Sequence, residues 1–169
     1  MKKMGLHTEG NWYKGNLHLH STNSDGRKTP EETAKVYQDH GYHFIAFTEH
    51  EHYTWDSELN RDGFLILPGV EFACDNPEPW RIYHLLGIGR HGAGKAPTAE
   101  NGYYDGQRFP TKEWKGLGTI QSTLDEIRAA NNLAVFNHPN WSRLELSDFV
   151  DLQGFFAMEI FNYGCERES

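Results

Sequence analysis

Cysteine is scarce in this chain: Cys74 and Cys165 are the only two among 169 residues. Two thiols so far apart make neither a disulfide framework nor a paired metal ligand set, and they read as separate buried side chains. Long apolar runs are missing too, and no window approaches the roughly 20 residues that a bilayer-spanning helix needs. Lys2 and Lys3 are followed by no apolar stretch, so the start does not read as a signal peptide and a cytoplasmic location is expected. Positive charge is short: 16 Lys plus Arg stand against 24 Asp plus Glu, a formal net charge of -8. That balance argues against a scaffold for duplex nucleic acid, which needs a cationic face. A small phosphorylated substrate stays open, because bound divalent cations reverse the local sign of an acidic site.

What is there is a chain of one-domain length in which short apolar runs alternate with polar or helical stretches, the α/β signature. Residues 12–20 predict a first strand that delivers histidines at its C-terminal end. Thr29-Pro30-Glu31-Glu32 predicts a helix start, with Thr29 as cap, Pro30 at the first position and Glu32 closing a capping box; Gly41 ends that helix. Strands are expected over 44–48, 64–73, 81–89, 133–136 and 155–161. The link at 75–80, with Pro77 and Pro79, is too short for a crossover helix and predicts a hairpin. A short helix is expected near 55–60, a longer one over 119–131 with Ile120, Leu124 and Ile127 inward, and partly helical structure over 141–152. Residues 91–118 read as a long, functional loop.

Polar residues gather where the apolar strands end. His18 and His20 are two apart, so in a strand both imidazoles face one side and reach one metal. Asp25 follows in the turn Ser24-Asp25-Gly26. His50 closes an apolar strand, His138 closes another ahead of Pro139, and Glu159 sits in the last. Glu71 interrupts an apolar run in which an unpaired carboxylate is costly to bury; a metal removes that cost, and a carboxylate is a natural bridge between two metals. Each residue alone has a bland explanation as a turn or half-buried strand residue, but their repeated placement does not.

Taken in order, these motifs resemble the PHP family, named for its polymerase-associated and histidinol phosphatase members. Gly15-Asn16-Leu17-His18-Leu19-His20-Ser21 with Asp25 is similar to the opening motif, and Thr48-Glu49-His50 to the usual Thr-Asp-His, with Glu for Asp beside the ligand. Pro68-Gly69-Val70-Glu71, Asn137-His138-Pro139 and Glu159-Ile160-Phe161-Asn162 are similar to later motifs, so the match spans residues 12–162. The resemblance implies one hydrolase domain over 1–169, a distorted (β/α)7 TIM-like barrel with two or three divalent metal ions (Mn, Fe or Zn). It implies His18, His20, Asp25, His50, Glu71 and His138 as ligands, with Glu71 as bridge. His84 resembles a position near the metals, or is a hydrogen-bonded core histidine. The implied reaction is hydrolysis of a phosphomonoester or nucleotide-like phosphoester by metal-activated water, a phosphodiester staying open, with Glu71, His84 and Arg143 as catalytic candidates. Arg143 is either a phosphate helper or a surface partner of Glu145. Arg90, His91 and Lys95 are weaker substrate contacts, and Tyr103, Tyr104, Phe109 and Trp114 either stack on substrate or pin the loop.

The family's closing Asp-x-His has no counterpart after Glu159. A barrel incomplete at its C-terminal end is therefore expected, in a fragment of a longer hydrolase, with an exposed sheet edge that favours self-association. Two rival classes are a non-catalytic metal-binding remnant and an amidohydrolase-like C–N hydrolase.

Overall fold

The structure, a computed structural model, describes residues 9–76, 81–89 and 102–166. Its first sheet is parallel and runs in the order β1 (Gly15–Asn16), β2 (Phe44–Ala46), β3 (Leu65–Leu67). Helix α1 (Pro30–Asp39) crosses from β1 to β2 and starts as its sequence dictates. The Thr29 side chain accepts the Glu32 N–H, the Glu32 carboxylate accepts the Thr29 N–H, and Pro30 occupies the first turn. Gly41, with φ of 71°, ends it. Ala34 on this helix packs with Ile45, Phe47, Phe64 and Ile66, which closes one small core.

The second sheet runs β4 (Gly69–Asp75), β5 (Ile82–Gly89), β6 (Asn132–Phe136), β7 (Ala157–Met158). β4 and β5 are antiparallel, as the proline-bearing link predicts; β5 and β6 are antiparallel, and β6 and β7 parallel. One face of this sheet packs on α2 (Leu117–Ala129), whose Ile120, Leu124 and Ile127 meet Val70, Phe72, Leu85 and Phe136. The alternation of β4 then turns Glu71 to the other face, away from α2. Among the described residues the result is an α/β arrangement of one parallel and one mixed sheet, with no closed barrel.

Two expectations need correction, and one open alternative is decided. The single strand predicted over 64–73 is two strands in two sheets. Pro68 has no N–H to give a ladder, and Gly69 instead exchanges both backbone bonds with Thr54, 3.1 Å each way. The approach is close: a Cβ at Gly69 would lie 2.7 Å from the Phe47 carbonyl oxygen. The strands predicted over 12–20 and 155–161 shrink to two residues each. Past β1 the backbone bonds to side chains: the His18 N–H donates to Asn16 Oδ1 and the Leu19 N–H to Thr48 Oγ1. Finally, Tyr103, Phe109 and Trp114 are packing residues. Tyr103 meets Tyr53 and Phe72, Phe109 meets Phe72, and Trp114 stacks on Tyr83 at 5.4 Å. Only Tyr104 of the four is exposed. Arg90, His91 and Lys95 lie outside the described residues.

Candidate metal centre

Glu71 is the hub. Its side chain is 1% exposed, and five imidazoles converge on its two oxygens. Oε1 lies 3.2 Å from His18 Nε2, 3.3 Å from His84 Nδ1 and 3.5 Å from His138 Nε2. Oε2 lies 3.2 Å from His20 Nε2 and 3.3 Å from His50 Nδ1. The five rings arrive from four runs of backbone. His18 and His20 follow β1, His50 follows β2 and bridges to Glu71, His84 lies in β5 on the face opposite Leu85, and His138 follows β6. Asp25 stands further out, 3.7 Å from His20 Nδ1 and 3.5 Å from His50 Nε2, with its side chain largely exposed. Its turn is tight: a Cβ on Gly26 would meet the His20 carbonyl oxygen at 2.4 Å, so only glycine fits.

Two groups of donors result, His18–Glu71–His138 and His20–His50–Glu71. In each, one ligand atom per residue lies within 4.8 Å of the others. The donor set fits divalent cations: imidazole nitrogen with carboxylate oxygen suits Zn, Fe and Mn. The shared carboxylate fits a pair of cations better than a single one. Asn137 Oδ1 beside the site is buried with no partner among the described residues. The electrostatics agree. Burial would raise the pKa of Glu71, yet hydrogen bonds from His138, His18, His20 and His84 hold it well below the usual carboxylate range. Burial likewise opposes a charged His18, but its hydrogen bonds to Glu159 and Glu71 raise it to about 10.

The residues border a cavity of about 490 Å³, whose wall continues through Tyr37, Trp141, Glu159 and Phe161. Arg143 does not join them: it is exposed, in a turn with φ of 56°, and outside the cavity wall. Two carboxylates carry more of the site than their sequence context suggests. Glu49, beside His50, is fully buried and accepts from the Ser21 N–H and from the Ser21 and Ser24 hydroxyls, so it clasps the turn that bears Asp25. Glu159 lies 3.2 Å from His18 Nδ1 and accepts the His138 N–H. The sequence signal for both was an acid at the end of an apolar strand.

No family model matches the chain. Over 77 residues it is 36% identical to the phosphoribosyl 1,2-cyclic phosphate 1,2-diphosphodiesterase of Eggerthella lenta, a match that covers 43% of this chain and 29% of the relative. The match thus spans under a third of that enzyme's length. In fold the chain is similar to a protein assigned as a metal-dependent phosphoesterase from Bifidobacterium adolescentis, with a TM-score of 0.61 and 15% identity over 91% of this chain and 81% of that one. It is also similar to an amidohydrolase from Chromobacterium violaceum, solved with sulfate and no metal, with a TM-score of 0.57 and 15% identity over 92% and 81% of the two chains. A two-domain protein of Bacteroides vulgatus with a PHP-like metal-dependent phosphoesterase region is more distant, with a TM-score of 0.47 and 19% identity over 82% and 37%. The class is that of an α/β fold with a histidine-rich centre. More narrowly, the chain resembles the PHP-type phosphoesterases, by its motifs and by the relatives it matches.

Proposed function

We propose that the chain is a metal-dependent phosphoesterase domain of the PHP type that hydrolyses a small phosphoester in the cytoplasm. The observation that carries this reading is the buried Glu71 carboxylate shared by two imidazole groups. In this reading the two sheets are part of a distorted (β/α)7 barrel that they do not by themselves close, and the free edge of β7 is a surface for self-association. His18, His138 and Glu71 would hold one cation, and His20, His50 and Glu71 a second, with Asp25 and His84 at the margins. When bound, such cations supply Lewis acidity, which activates water for attack on phosphorus and neutralises charge on the phosphate.

The chain's own residues do the rest. Glu71 brings the negative charge that two cations need, while its hydrogen bond from Asn137 fixes its orientation. The imidazoles supply ligand nitrogens without adding further negative charge beside an anionic substrate. Trp141, Tyr37 and Phe161 wall the cavity and would shelter the ester's organic group. The cyclic phosphodiester cleaved by the Eggerthella lenta relative makes a diester the first substrate class to try.

The test is elemental analysis of protein purified without chelator, followed by turnover of p-nitrophenyl phosphate and bis-p-nitrophenyl phosphate with added manganese or zinc. Bound metal and hydrolysis abolished by chelator support the proposal. Protein that stays metal-free after manganese and zinc are added, or that turns over anilides but neither phosphoester, would overturn it.

A further inference from the structure

Glu159 stands outside both donor groups, yet it touches two members of one of them. Its carboxylate spans His18 Nδ1, at 3.2 Å from Oε1 and 3.3 Å from Oε2. The same Oε2 accepts the His138 backbone N–H at 3.1 Å. The Asn162 side-chain amide donates to Oε1 at 3.2 Å and steadies the carboxylate from the far side. β7 brings Glu159 here by register: Met158 pairs with Phe136, and the Glu159 N–H donates to the Phe136 carbonyl. The carboxylate therefore lies level with the residues that lead into His138.

We propose that Glu159 is the positioning residue of the His18–His138 half of the centre, and that it aims His18 Nε2 at the cation by holding Nδ1 as a hydrogen-bond donor. The proposal rests on the metal reading of the cavity. An imidazole that gives its Nδ1 proton to a carboxylate has its Nε2 lone pair free and its ring plane fixed. His18 Nε2 is the nitrogen that faces Glu71 Oε1, so once a cation displaces the proton held there the lone pair points toward the shared carboxylate. Glu159 also acts on the second ligand through its backbone. His138 has φ of 21°, a conformation that costs a non-glycine residue of the order of 1–3 kcal/mol. A hydrogen bond to the N–H of that residue keeps it there. The His20–His50 half receives nothing comparable from Glu159; its outer support comes from Ser24 and Asp25. The consequence is selective: loss of Glu159 weakens one cation and spares the other.

The experiment is titration of the full chain with cobalt(II), followed by calorimetry and by proton NMR of the exchangeable ring N–H signals shifted by the metal. In the parent chain, two equivalents bind and the His18 Nδ1–H signal resists exchange with solvent. Glu159→Ala is expected to weaken one equivalent about 10–100-fold, leave the other within about twofold, and remove the protected signal. Glu159→Gln keeps the shape and one acceptor oxygen. It is expected to restore the protected signal with an intermediate affinity, and it reads the proposal if the alanine variant does not fold. Equal weakening of both equivalents, or unchanged binding with the signal intact, would overturn the positioning role while leaving the metal reading in place. A parent chain that takes up no cobalt would overturn the metal reading, and this inference with it.

Discussion

The side-chain amide of Asn137 donates to Oε1 of Glu71 across 2.6 Å, between two residues that are both shut off from water. That bond fixes the rotation of the carboxylate, so each oxygen faces its own set of rings: Oε1 meets His18, His84 and His138, and Oε2 meets His20 and His50. A carboxylate free to spin would not present two distinct sides.

Glu71→Gln should therefore damage both sides at once. The amide keeps the shape but removes the charge that balances two cations and turns an NH2 toward one set of imidazoles. Metal titration of the variant is expected to show fewer than the parent's equivalents. Unchanged stoichiometry and affinity would remove the bridge from the proposal.

Glu49→Ala tests the clasp on the Asp25 turn. The substitution strips the acceptor from the Ser21 and Ser24 hydroxyls and from the Ser21 N–H in a buried spot. A loss of the order of 1–3 kcal/mol per orphaned group is expected in urea unfolding of the metal-free protein. Glu49→Asp, one methylene shorter, should reach only part of the set and fall between. Full stability in the alanine variant would mean that water replaces the carboxylate.

Gly69→Ala probes the passage between the sheets. The new methyl would stand 2.7 Å from the Phe47 carbonyl oxygen and 2.9 Å from Thr48 Cγ2, so backbone must move. Overpacking of this kind costs about 1–3 kcal/mol, and a fall in thermal midpoint is the readout. Because Glu71 is two residues on, metal affinity should fall with it.

Asp56 gives a pH prediction away from the metal cavity. Burial, then the negative charges of Glu58, Asp105 and Glu49, raise its pKa from 3.8 to about 6. Its Oδ2 has no partner among the described residues. The folded state thus holds this proton more tightly than the unfolded chain does. Stability from Asp56 is complete below pH ~4 and is lost as pH rises to about 6. Asp56→Asn should raise the thermal midpoint at pH 7 and leave it unchanged near pH 4. A variant with the same gain at both values would place the cause elsewhere.

How much of this was legible in the sequence depends on the range of the interaction. The start of α1 was readable because Thr29, Pro30 and Glu32 are neighbours that cap one another. Apolar spacing likewise placed Ile120, Leu124 and Ile127 on the buried side of α2. The histidines at strand ends stood out because apolar runs have no reason to stop on them. The split at Pro68 did not show, because the apolar pattern runs through it and only the contact with Thr54 and Phe47 reveals two strands. Glu49 and Glu159 were visible as acids but not as anchors, since their partners lie 28 and 141 residues away. Conversely, Arg143 looked well placed after His138-Pro139, but the turn there leaves it outside the cavity wall.

With only Pro68 between β3 and β4, the cluster straddles a seam. His18, His20, Asp25 and His50 belong to connections of the first sheet, while Glu71, His84, His138 and Glu159 belong to the second. A cation gripped from both sides would stitch that seam shut. The amides of β2 and β4 would then exchange with heavy water through one shared opening. Capture and release of the ion would become the same motion as the breathing of the two sheets.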